Sequence, residues 1–167
     1  MSTILEYQKQ IEERRIIKVE TKTTKIISAA LISSAIISGL IAYFLHFRQV
    51  FPTPIQDQIR GITSIGIVMV MVVIFYLRRT LYYSPKIIKE DFTLSQVLQQ
   101  WRKIDIALLL IAESLPICGL VLAFLGLQFD RIFHFFLGGV LMMIILTPMG
   151  IKVRSRLSIL REFFPEI

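Results

Sequence analysis

The sequence predicts an all-α membrane protein built on four transmembrane helices, and three observations carry that expectation. Apolar residues make up 54% of the 167 and charged residues only 19%, against about 25% charge in a soluble domain. Four stretches stay apolar over close to the roughly 20 residues that a helix needs to cross a bilayer. The longest apolar runs, such as I-V-M-V-M-V-V-I-F at 67–75, do not alternate as the strands of a membrane barrel would. A mean hydropathy of +0.67 excludes intrinsic disorder. The single cysteine, Cys118, excludes a disulfide scaffold.

The four spans are residues 26–45, 61–77, 104–125 and 132–150. The first two carry no charge, the third contains Asp105 and Glu113, and the fourth has His134 near its start. Residues 1–25 hold ten charges and no apolar core of a signal peptide, so the first span itself is expected to start insertion. Three segments flank the spans: an N-terminal helix over 1–25, a connection over 78–103 and a tail over 151–167.

Those three segments hold most of the basic residues. Lys9, Arg14, Arg15, Lys18, Lys22 and Lys25 precede span one. Arg78, Arg79, Lys86, Lys89, Arg102 and Lys103 lie in the connection, and Lys152, Arg154, Arg156 and Arg161 in the tail. The opposite side has only Arg48, Arg60 and Arg131. Short basic loops stay in the cytoplasm, so both termini and the connection are expected there. The net charge of +7 is this topology signal. Interspersed Glu6, Glu12, Glu13, Glu20, Glu90 and Asp91 leave no basic stripe for nucleic acid.

No proline occurs from Thr3 to Phe51, so one helix is expected to run from a Thr3/Glu6 capping box into span one. Thr21, Thr23 and Thr24 are the weakest helix formers in it and the expected break. A second capping box, Thr93 with Gln96, opens a short amphipathic helix with Leu94, Val97, Leu98 and Trp101 on one face. Phe92 and Val97 form its hydrophobic staple. In the tail, Val153, Leu157, Leu160 and Phe164 share a face, with Arg154, Arg156 and Arg161 away from it. Both segments read either as interfacial helices that fix orientation or as docking faces for a protein partner.

Residues 33–45 and 113–125 are similar at an offset of 80. They share Ser34/Ser114, Ile37/Ile117, Gly39/Gly119, Leu40/Leu120, Phe44/Phe124 and Leu45/Leu125. Two parallel repeated hairpins would produce this, and so would chance likeness between apolar runs. Where the second copy has Glu113, the first has Ser33.

Glu113 lies nine residues into span three, about 13–14 Å along a helix rising 1.5 Å per residue. A charge at that depth costs roughly 2.5–3.5 kcal/mol, so the carboxyl is expected to be protonated, paired or bound. Pro116 frees the carbonyl of Ala112 beside it. Ala112, Pro116, Gly119 and Ala123 make a low-profile stripe for helix packing, matched on span one by Ala30, Ser34, Ser38 and Ala42. Ser34 and Ser38, with Ser33, are the candidate partners of Glu113.

The stretch A-E-S-L-P-I-C-G-L-V-L-A-F-L over 112–125 resembles the carboxylate helix of the proteolipid (c) subunits of rotary ATPases. The resemblance implies that Glu113 is an ion-carrying acid, with Pro116 and Gly119 matching the residues that follow it. The chain departs from those proteins in lacking their glycine-zipper helix and short polar loop, which argues against a rotor-ring subunit. The whole chain is similar to a group of small bacterial four-span membrane proteins of unassigned function. The shared features are Ala112-Glu113, Gly119-Leu120-Val121, Phe124-Leu125 and a fourth span ending near Pro148. That resemblance implies a fold and a bacterial inner-membrane location.

No catalytic motif or metal-ligand spacing occurs; His46 and His134 read as interfacial anchors. The chain is therefore expected to be no enzyme, to need no cofactor or metal, and to bind membrane lipid and protein partners but no nucleic acid. The first functional expectation is a non-catalytic structural or accessory subunit of a larger membrane complex. The alternative is a proton- or cation-handling protein that uses Glu113 with Ser34 and Ser38.

Overall fold

A computed structural model of the chain describes residues 2–48, 56–82, 84, 92–148 and 150–163. They form five helices: α1 (Ser2–Arg48), α2 (Gln56–Tyr82), α3 (Leu94–Phe124), α4 (Phe129–Leu146) and α5 (Gly150–Phe163). The first four are long and apolar enough to cross a membrane, which makes the chain an integral membrane protein of all-α class.

Helices α3 and α4 pack together as the centre of the bundle. Helix α1 contacts both from one side and α2 contacts both from the other. Among the described residues no Cα of α1 comes within 8 Å of one in α2. The packing is therefore not that of two equivalent hairpins, although α1 and α3 run parallel. The repeat-related glycines do share one neighbour. A Cβ on Gly39 would meet Cγ of Phe136 at 3.4 Å, and one on Gly119 would meet its Cζ at 2.9 Å.

Helix α1 runs unbroken through the threonines. Thr21 donates its hydroxyl to the carbonyl of Ile17 at 2.8 Å, and Thr21 and Thr24 are both buried. Tertiary burial here outweighs a weak propensity. The buried seam of α1 repeats every seven residues, at Thr21, Ser28, Ala35 and Ala42. This corrects the expected stripe: Ala30 and Ser34 are exposed and Ser38 is half-buried. A strict four-residue spacing drifts about 40° around a helix at each step. Only alternating steps of three and four keep to one face. Helix α1 also begins at Ser2, one residue before Thr3, so Thr3 does not stand at its cap.

Three other boundaries differ from the sequence expectation. The amphipathic segment after Thr93 does not end before the membrane. It continues into span three as one helix of 31 residues, α3, opened by the Thr93/Gln96 capping box. Arg78 and Arg79 belong to α2 rather than to the connection. Helix α4 stops at Leu146, where Pro148 follows, and Thr147 Oγ1 donates to the carbonyl of Met143 at 2.7 Å. The connection around Pro85 and the tail residue Phe164 lie outside the described residues, as does the side chain of Arg161.

A tight turn joins α3 to α4. Leu127 N–H bonds to the carbonyl of Leu122 and Gly126 N–H to that of Ala123, both at 3.1 Å. This is a Schellman motif, and Gly126 supplies its required left-handed residue at φ 91°. Across the turn, the first N–H of α4, on Phe129, reaches Nδ1 of His46 at 3.5 Å. The end of α1 thereby helps cap α4.

Among the described residues, part of the apolar surface of the segments outside the membrane runs packs within the chain, while Tyr7, Ile11 and Val19 of α1 stay exposed. Ile17 of α1, Val97, Leu98 and Trp101 of α3, and Val153, Leu157 and Leu160 of α5 pack in one buried cluster. This cluster closes the end of the bundle that carries both termini.

Candidate functional site

Glu113 sits on the edge of α3 that borders α1. It is 7% exposed. Positions 110, 114, 117, 118 and 121, which follow around the helix, are all exposed. On α1 the matching edge is Ala30, Ser33, Ser34 and Ile37, also exposed. The carboxyl therefore lies just beneath a lipid-facing surface, in the seam between two parallel helices.

Ser34 donates a hydrogen bond to the Glu113 carboxyl. The other oxygen, Oε2, is buried without a hydrogen-bond partner among the described residues. Ser33, the repeat counterpart of Glu113, bonds instead to the carbonyl of Ala29 at 2.9 Å. Ser114 bonds to that of Ile111 at 2.7 Å. Ser38 lies half-buried one turn beyond Ser34. The seam thus holds one carboxyl, one hydroxyl bonded to it and one open acceptor.

Ala112, Pro116, Gly119 and Ala123 are all buried, but Pro116 and Gly119 meet α4 rather than α1. A Cβ on Gly139 would lie 2.5 Å from Cδ of Pro116 and 3.5 Å from the carbonyl oxygen of Ala112. One on Gly119 would lie 3.0 Å from Cβ of Phe135. The proline side of α3 is thus sealed by α4. Its glutamate side opens beside α1.

A second polar centre closes the terminal end. The Tyr82 hydroxyl donates to Asp105 Oδ1, and Trp101 Nε1 donates to the Tyr82 carbonyl at 3.1 Å. The Arg156 guanidinium lies 4.1 Å from the Tyr82 ring centroid, with Nη1 3.9 Å from Asp105 Oδ1. Arg156 is 8% exposed. This corrects the expectation that it lies away from the buried face of α5. A guanidinium can bury its charge when a carboxylate and an aromatic face meet it.

Beside this centre, Glu20 of α1 receives Ser95 at 3.1 Å and Arg102 at 3.4 Å. Ser28 bonds Thr147. A cavity of about 10 Å³ lies among Glu20, Thr24, Asp105, Pro148 and Arg156, room for about one water molecule. Sequence reading missed this centre. Its one signal was a second acid, Asp105, at the start of an apolar run.

Among the described residues no three His, Cys, Asp or Glu side chains converge as a metal site would require. Comparison with protein families, curated proteins and solved structures returned no match to this chain.

Proposed function

We propose that the protein is a non-catalytic accessory subunit of a larger membrane complex, docked through the face between α1 and α3. One observation carries the reading: the Glu113 carboxyl has an open acceptor beneath an exposed surface where small residues sit among Ile37, Leu110, Ile117 and Val121. Ala30, Ser33, Ser34, Ser114 and Cys118 all face outward there. Small residues at a lipid-facing surface permit close approach by another helix. A buried acceptor without a donor is costly to leave unmade. A partner helix that brings a donor or a cation to Glu113 Oε2 meets both requirements. The distribution of basic residues supports cytoplasmic termini, so the terminal polar centre lies on that side.

The test uses the single cysteine. Cys118 is exposed on this face. In the native membrane a membrane-permeant thiol reagent is expected to label it slowly. The same protein purified and reconstituted in the same lipids is expected to label fast. Equal rates in both settings argue against docking there.

A proton- or cation-handling role is the second reading, supported by the pairing of Ser34 with Glu113. It requires Glu113→Gln to abolish ion flux and carbodiimide labelling. Docking requires neither.

A further inference from the structure

The end of α2 and helix α5 face each other across a groove of about 370 Å³, lined by Phe75, Arg78, Arg79, Tyr82 and Arg156. No Cα of α2 comes within 8 Å of one in α5 among the described residues, so only side chains bridge the gap. Among the described residues every charge lining it is positive. Lys152 adds a fourth cation nearby. Burial first, then Arg78 and Arg156, hold its ammonium below the usual lysine range. Among the described residues the acid beside the groove is Asp105, which accepts from Tyr82, lies 3.9 Å from Arg156 and also feels the charge of Arg78.

Arg156 is the informative residue. It is 8% exposed, and among the described residues neither Nη1 nor Nη2 has a hydrogen-bond acceptor. A buried guanidinium needs acceptors, and its planar fork matches the oxygens of a phosphate. We propose that the groove binds a phosphate group carried by an anionic membrane lipid, with Arg156 as the buried anchor and Arg78 and Arg79 at the rim. The position favours a lipid over a soluble phosphate. Arg78 and Arg79 lie within the last turns of a membrane-long helix, at headgroup depth. Val72, Phe75 and Tyr76, before them on α2, are exposed and apolar where an acyl chain would run. Basic pockets between membrane helices hold anionic headgroups in this way.

The test is native mass spectrometry of the full-length protein offered equal phosphatidylglycerol and phosphatidylcholine. Wild type is expected to retain phosphatidylglycerol preferentially. Arg78→Gln with Arg79→Gln spares the buried Arg156 and should lower that retention about 25-fold, at roughly fivefold per charge. Lys22→Gln with Lys25→Gln removes equal charge from exposed positions of α1 and should leave it unchanged. Equal retention of the two lipids by wild type overturns the proposal. Equal loss in both double variants does the same, because it reduces the effect to net charge. Inorganic phosphate is the third arm, read through Trp101, whose Nε1 bonds the Tyr82 carbonyl at 3.1 Å. No fluorescence change is expected at micromolar phosphate. A change there, with displacement of the lipid, overturns the lipid assignment in favour of a soluble phosphate.

Discussion

The ring of Pro116 occupies the space that a side chain at position 139 would need, since a Cβ on Gly139 would stand 2.5 Å from Pro116 Cδ. A proline inside a helix frees a carbonyl and widens the turn. Here the freed turn of α3 lies against the one surface of α4 with no side chain. Gly138, beside it, meets Met71 and Ile67 of α2. The glycine pair lets α4 approach both neighbours.

Gly139→Ala is therefore expected to destabilise the bundle by about 1–3 kcal/mol through overpacking. Pro116→Ala should recover part of that loss when combined with it. Unfolding in a denaturing detergent, run on both single variants and the double, measures the coupling.

The terminal centre should respond asymmetrically. Tyr82→Phe removes one hydrogen bond and is expected to cost about 1 kcal/mol. Asp105→Ala leaves Arg156 buried without its counter-charge and is expected to cost about 3–5 kcal/mol. A double-mutant cycle between Asp105 and Arg156 separates the pair from its surroundings. Equal costs for Tyr82→Phe and Asp105→Ala would remove the ion pair from the account.

Thr93 caps α3 with Gln96 answering it. Thr93→Ala is expected to cost about 1 kcal/mol. Hydrogen exchange should speed at the first turn, near Gln96 and Val97, and stay unchanged at Leu108 and beyond.

Much of this fold was legible because apolar length is a strong signal. Span positions, the Thr93/Gln96 box and the continuity of α1 into the membrane all rest on local residues. The seam of α1 was harder. Its apolar surface is nearly continuous, so small residues spaced by four looked like a face, while the buried set follows seven-residue steps through Thr21, Ser28, Ala35 and Ala42. Arg156 was misplaced because amphipathic patterning assigns every charge to solvent. Its partners, Asp105 and Tyr82, come from two distant helices. For Glu113, sequence depth pointed to Ser34, and the structure brings the two together. That Pro116 faces α4 depends on Gly139, which no local pattern links to it.

The placement of both termini in the cytoplasm rests on loop charge and has its own check. In right-side-out vesicles, tags at both ends should resist protease until the membrane is opened. Digestion of either tag in sealed vesicles would reverse the topology.

The most direct test of the accessory role is the mass of the particle extracted from its native membrane in mild detergent. Expected is a heteromer of fixed ratio that Glu113→Leu releases as free protein, while Met69→Ala, at an exposed position of α2 away from that face, leaves it intact. A wild-type particle that weighs one chain, or a multiple of it, would contradict the accessory role and leave Glu113 to be tested as an ion site.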